Sequence, residues 1–206
     1  MKLTREMFRR QWPEGDGAMI DGILATQDAV FTRFEINNAL RVAHFMAQIS
    51  VECAYGTRFE ENLNYKSASR IKAVFPKYFR TLDAAAACVR SPAKLANIVY
   101  GGRFGNRPNT DDGFAFRGRG LLQLTFRDNY ATIGAIAGVP IGAHPDLAVD
   151  PKYALLVAGG YWHHAHCNAA ADTDVVEMVT KRVNGGTHGL HDRIDATKRW
   201  KEELVV

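Results

Sequence analysis

Glu52 and Glu61 stand nine residues apart in the stretch HFMAQISVECAYGTRFEENLNY, residues 44–65. The stretch begins apolar and ends polar. Upstream of Glu52, Leu40, Val42, Ala43, Phe45, Met46 and Ile49 recur at helical spacing, with Val42, Phe45 and Ile49 marking a buried stripe. Glu52 follows Ile49 by three residues, so a carboxylate lies on or beside the core face, where acids are seldom found without a partner or a task. Gly56 reads as a helix stop, which places Glu52 in the last turn. There the negative end of the helix dipole and partial burial both favour a protonated acid. An acid still protonated near neutral pH can act as a general acid. Glu61 lies past Gly56 among hydrogen-bonding groups, a setting that keeps a carboxylate ionised. One acid for a leaving oxygen and one base for water are what cleavage of a glycosidic bond requires. On these residues alone a plainer assignment stands beside it: Glu52 paired with an arginine, and Glu61 capping or solvating a loop.

The elements that must position these groups are mostly helices. Residues 3–10 form a short amphipathic helix with Thr4 as N-cap, ended by Pro13, Gly15 and Gly17. Residues 18–31 form a second, with Ile20, Ile23, Leu24 and Val30 on its apolar face. Asn37 or Asn38 caps the central helix, which runs to about Ala54. Ser67 caps a helix through Val74, and residues 82–100 are helical with a break at Ser91-Pro92. Residues 101–120, GGRFGNRPNTDDGFAFRGRG, are a glycine-rich loop leading into Leu121–Thr125. Long ordered loops in compact domains are usually functional. Ala131–Ala137 is helical, and Asp150-Pro151 opens a long helix to about Asn168 with Pro151 at its first position. Thr173 or Asp174 caps a helix to about Arg182, and a last helix covers Leu190–Glu203. Strand patterns are scarce, and no internal repeat or linker interrupts the chain.

The 206 residues are 47% hydrophobic and 23% charged, which suits one globular domain. No run of about 18 apolar residues implies a membrane span. The N-terminus MKLTREMFRRQWPEG lacks the apolar centre of a signal peptide, so synthesis in the cytoplasm is expected. Three widely spaced cysteines, Cys53, Cys88 and Cys167, argue against a disulfide framework. The net charge of +4 suits an anionic surface such as a bacterial envelope. Neither a helix-turn-helix nor a basic stripe with aromatics points to nucleic acid.

Four blocks, AQISVECAYGTRFEENLNY, FRGRGLLQLTFRDNY, HPDLAVDPKYALLVAGGYW and KRVNGGTHGLHDR, resemble glycoside hydrolase family 19 in the family's order, and especially its phage endolysin branch. They span roughly residues 44–193. The resemblance implies that Glu52 is the general acid, Glu61 the second acidic residue and Thr125 a hydroxyl that helps hold the attacking water. It implies that Gln123, Asn129 and Asn184 line the sugar cleft and that Arg193 sits near the acids. Tyr65, and less so Phe126, could stack on sugar rings. Val51 and the run Cys53-Ala54-Tyr55-Gly56 depart from the family's usual neighbours of the acid. His44, Gln48 and Glu52 share a helix face; His44 either tunes the acid or, as the preferred assignment, is a hydrogen-bonded core histidine.

The expected architecture is all-α, a single lysozyme-like domain over residues 1–206. Its cleft lies between a larger lobe and a smaller one from roughly 66–115. The expected activity is inverting hydrolysis of β-1,4 bonds in peptidoglycan glycan strands by a monomer that needs no metal or cofactor and lyses a host cell after membrane permeabilisation. Chitin is the alternative substrate. A rival of a different class is a zinc amidase, because His163 pairs with His166 at i, i+3 and with Cys167 at i, i+4 on one expected helix face.

Overall fold

Capping side chains set many of the element boundaries. In the computed structural model, which describes residues 2–205, Thr4 caps α1 (Arg5–Gln11), Asp16 caps α2 (Gly17–Arg33) and Asn38 caps α3 (Ala39–Glu52). Ser67 caps α4 (Ala68–Val74) and Thr81 caps α5 (Leu82–Ala86). In each case the side-chain oxygen accepts an otherwise unpaired N–H of the first turn. Pro92 opens α6 (Pro92–Tyr100), and α7 (Asp112–Ala115) is a single turn inside the glycine-rich segment. α8 (Arg127–Ala137) starts four residues earlier than the apolar pattern indicated and ends at Gly138, whose φ is +70°. A 3-10 turn (Pro145–Val149) precedes α9 (Ala154–His164), α10 (Cys167–Ala171), α11 (Val176–Asn184) and α12 (Leu190–Leu204). Among the described residues there is no β-strand, only isolated bridges joining Arg119 to Glu60 and to Leu124. The all-α class read from the sequence is therefore what the chain adopts.

α3 is the hub. Every residue from Val42 to Ser50 is buried, as expected of a helix packed on all sides. Its buried polar side chains are matched, except that His44 Nδ1 has no hydrogen-bond partner among the described residues. Ser50 Oγ accepts from the indoles of Trp12 at 2.8 Å and Trp200 at 2.9 Å and donates to the Met46 carbonyl. One hydroxyl so ties the first and last helices to the central one, where an unmet indole N–H would be costly. The main core joins α1, α2, α3, α9, α11 and α12. A separate apolar cluster draws Leu63, Ile71, Phe79, Cys88, Leu95 and Val99 from the middle of the chain.

Two expectations need correction. Pro151 does not begin a helix: residues 151–153 form turns and α9 starts at Ala154. The long helix is also broken at Ala165–His166, where His166 takes φ +54°. Nor does Thr173 or Asp174 cap α11, whose N-cap is Val175. The Asp174 carboxylate instead meets His44 Nε2 at 2.9 Å and Lys201 at 2.5 Å, on α3 and α12.

The Pro151 turn explains a glycine inside α2. A Cβ on Gly22 would lie 2.1 Å from the Pro151 carbonyl oxygen. Glycine to alanine within a helix ordinarily stabilises by roughly 0.5–1 kcal/mol. Here the backbone clash reverses the sign, and Gly22→Ala is expected to destabilise by about 1–3 kcal/mol. Thermal unfolding checks this, since an unchanged or raised midpoint would contradict the close approach.

Candidate active site

α3 ends on Glu52, and the chain then turns through three left-handed residues, Ala54 (φ +49°), Tyr55 (φ +55°) and Gly56 (φ +79°). Such backbone is costly for side-chain-bearing residues and persists where surrounding structure enforces it. Gly56 is doubly required, because a Cβ there would come within 2.4 Å of the Trp12 ring. The turn brings the chain from the buried helix to Phe59–Asn62 within a few residues.

Glu52 is 17% exposed, and its Oε1 accepts from Arg193 Nη2 at 2.6 Å. Arg193, on α12, is 4% exposed and also donates to Gln48 Oε1 and to the His188 carbonyl. Gln48 in turn donates to Thr180 Oγ1 on α11. Glu52 Oε2 takes no hydrogen bond among the described residues. The helix end and burial foreseen from the sequence are present. A guanidinium now stands on Oε1 as well, so the carboxyl sits in an ion pair rather than an apolar pocket. Asn184 shares the His188 carbonyl with Arg193. Its side chain donates to the His188 carbonyl and accepts from Gly186 N–H, folding the turn that holds Arg193.

Glu61 is held differently. Its Oε1 accepts the hydroxyl of Tyr100, at the end of α6, at 2.6 Å, and its backbone N–H donates to the Gly118 carbonyl. Burial, and then the charge of Glu61, push the Tyr100 phenol well up, so it stays a donor. The same two causes raise Tyr65, which packs edge-on to Phe75. Among the described residues, Oε2 of Glu61 has only a long 3.5 Å contact, with Gly118 N–H, and keeps acceptor capacity.

Gly118 is where the predicted groups meet. A Cβ there would lie 3.2 Å from Gln123 Oε1, 3.4 Å from Glu61 Cβ and 3.5 Å from Thr125 Oγ1. Glu61, Gln123 and Thr125 are thus gathered around one small residue. Gln123 (φ +49°) and Phe126 (φ +77°) bracket Thr125 in left-handed backbone. Thr125 donates its hydroxyl proton to the Gln123 carbonyl at 3.0 Å, which leaves the oxygen free to accept. Asn129 is exposed and donates to the Thr125 carbonyl, fixing that segment.

Neighbouring Glu60 has another role. Arg117 and Arg119 bind its two oxygens at 2.9 and 3.0 Å. Burial pushes its carboxyl up, but the hydrogen bonds from the two arginines outweigh it and hold the group below the usual range. It closes the bridge between its own segment and the glycine-rich one.

Tyr100 was not anticipated, and Gln48 was expected only to share the helix face of Glu52. Tyr100 carried one faint signal, a tyrosine closing an apolar helix at Gly101-Gly102. His44 does not approach Glu52's partners: it is fully buried and its charged neighbours are Asp174 and Lys201. The one-face zinc pair is not formed either, because α9 ends at His164. His163 is exposed against Phe34, whereas Cys167 is fully buried in the next helix. Among the described residues no group of three His, Cys, Asp or Glu is placed to hold a metal.

Several proteins are similar to this chain in sequence or in fold. The chain is 33% identical over 194 residues to a glycosyl hydrolase family 19 domain-containing protein of Haemophilus influenzae, covering 94% of this chain and 92% of that one. Its fold is similar to that of chitinase C from Streptomyces griseus, with a TM-score of 0.66 at 19% identity, covering 99% of this chain and 93% of the other. A class IV family 19 chitinase from Zea mays superposes with a TM-score of 0.63 at 16% identity, again over 99% and 93%. No protein-family profile matches the chain. The identity to the Haemophilus protein along nearly the full length of both chains, on a helical fold of the family 19 type, places this protein in glycoside hydrolase family 19.

Proposed function

We propose that this glycosidase cleaves β-1,4 bonds between N-acetylhexosamines of bacterial peptidoglycan as a lysis enzyme, with inversion at the anomeric carbon. The observation that carries the reading is the gathering of Glu61, Thr125 and Gln123 around Gly118, with Glu52 held by Arg193 as the second carboxyl group. Glu52 Oε2, without a hydrogen-bond partner among the described residues, would carry the proton given to the leaving oxygen. Glu61 Oε2 would take a proton from water. Thr125 Oγ1, its own proton committed to Gln123, would accept the water's other hydrogen and aim its lone pair at the anomeric carbon. Tyr100 would hold Glu61 in place. Peptidoglycan is favoured over chitin by the ENLNY context of Glu61, which resembles the endolysin branch, and by the net charge of +4 against an anionic wall. The chitinase names of the similar structures favour chitin as the second reading.

Products decide between them. Incubation with purified peptidoglycan and, in parallel, with chitin oligomers should release disaccharide-containing fragments from peptidoglycan, detected by mass spectrometry, without anhydro ends. Activity should survive chelation. Cleavage of chitin oligomers alone would establish the second reading. Loss of activity under chelator, restored by zinc, with free stem peptides as product, would establish an amidase instead.

A further inference from the structure

Phe104 is 62% exposed, yet the backbone around it is tightly held. It takes φ +42° between Gly102 (φ +69°) and Gly105 (φ +79°), and a Cβ on Gly105 would strike the Asp128 carboxylate at 2.0 Å. The Phe104 carbonyl accepts from Asp128 N–H. Asn106 bridges from the Tyr100 carbonyl to the Arg127 N–H, so the loop is pinned to both α6 and α8. A large apolar side chain in strained, well-anchored backbone and facing water calls for an explanation.

Its ring continues a row of aromatics into the site. Phe104 and Phe126 have centroids 4.9 Å apart, and Phe126 lies edge-on to Tyr100 at 5.5 Å. Phe126 adjoins Thr125 in sequence, and Tyr100 binds Glu61. Phe126 itself adopts φ +77° and ψ +142°, which side chains rarely do, and is clamped by backbone bonds to Phe116 and Tyr130. The Arg103 guanidinium sits over both phenyl rings, 5.7 Å from Phe104 and 5.2 Å from Phe126. Its Nη1 donates to Tyr78 and to the Val99 carbonyl, while Nε and Nη2 donate to nothing among the described residues.

We infer that Phe104, backed by Phe126 and flanked by Arg103, is a sugar-binding platform for a ring of the glycan strand a few residues from the bond that is cut. An exposed phenyl face matches the apolar C–H face of a β-linked pyranose, and spare guanidinium donors match its hydroxyl or N-acetyl oxygens. Because the loop is already ordered, binding costs little further conformational entropy. The inference rests on the proposed action on an N-acetylhexosamine polymer.

The test is binding to the Glu52→Gln chain, measured calorimetrically with two probes, glycan strands stripped of peptide and N-acetylglucosamine hexamer. Adding Phe104→Ala should weaken binding of the longer ligand that the parent accepts by roughly three- to tenfold. It should leave the melting temperature of this exposed site unchanged, and Phe104→Tyr should restore affinity. Binding by the Phe104→Ala chain equal to that of its parent would overturn the platform while leaving the glycosidase reading intact. A parent that binds neither probe and a wild-type chain that cleaves neither would instead remove the underlying reading.

Discussion

Glu52→Gln should reduce turnover on the preferred glycan by 10²–10⁴-fold, the range typical of a lost general acid. The variant separates chemistry from folding because glutamine preserves the local geometry. Its carbonyl oxygen can still accept from Arg193 Nη2, and Arg193 keeps Gln48 and the His188 carbonyl. What it loses is the charge opposite a guanidinium that is 4% exposed, a cost on the order of 1–3 kcal/mol. For a chain of this size that lowers the melting midpoint by several degrees without unfolding it at assay temperature. Turbidity clearing of permeabilised cells and oligomer hydrolysis, each beside a melting curve, provide the check. Retention of more than about a tenth of wild-type turnover would end the general-acid assignment. Arg193→Ala should be the less stable protein of the two, because it strips partners from Glu52, Gln48 and the His188 turn together.

The second large effect is expected at Glu61. Glu61→Gln removes the proton acceptor but keeps an oxygen for the Tyr100 hydroxyl, so a 10²–10⁴-fold loss should arise with little change in stability. Thr125→Val should act on the same step more weakly. It deletes a hydroxyl with nearly unchanged shape, and since that group would touch only the attacking water, kcat should fall more than KM rises. Inversion demands room for the water, with carboxyl groups about 6.5–9.5 Å apart rather than about 5–5.5 Å. Proton NMR of the first product formed should therefore show the α anomer from a β-linked substrate. A β anomer, or a glycosyl-enzyme trapped on Glu61, would mean a retaining mechanism. A fully active Thr125→Val would remove that residue's role even if both acids stand.

Much of the helical order is legible along the chain because its causes are local. Thr4, Ser67 and one of Asn37 and Asn38 are caps by composition, and the oxygens of Thr4, Asn38 and Ser67 do accept the first-turn N–H groups. The buried stripe through Val42, Phe45 and Ile49 already identifies the central helix. The reading failed where a distant contact outweighed local preference. Pro151 looks like a helix opener, but its carbonyl packs on Gly22 of α2 and delays α9. Asp174 looks like a cap, but His44 and Lys201 take its carboxylate. His163 and Cys167 look like one helix face, but the turn at His166 separates them.

The site divides in the same way. Glu52 and Glu61 stand out in sequence because residue type and spacing limit what chemistry they can do, whereas Gln123 and Thr125 are marked by the family resemblance. The groups that contact them mostly do not stand out, apart from Arg193, which the resemblance puts near the acids. Arg193 reaches Glu52 across 141 positions, Tyr100 reaches Glu61 across 39, and Gly118 is 57 from Glu61. The two candidate acids are therefore written in the chain. Which oxygen of each is left free, and which of Glu60 and Glu61 is tied up by arginines, is decided by tertiary structure, because a carboxyl group's environment is set by groups that folding brings from far away.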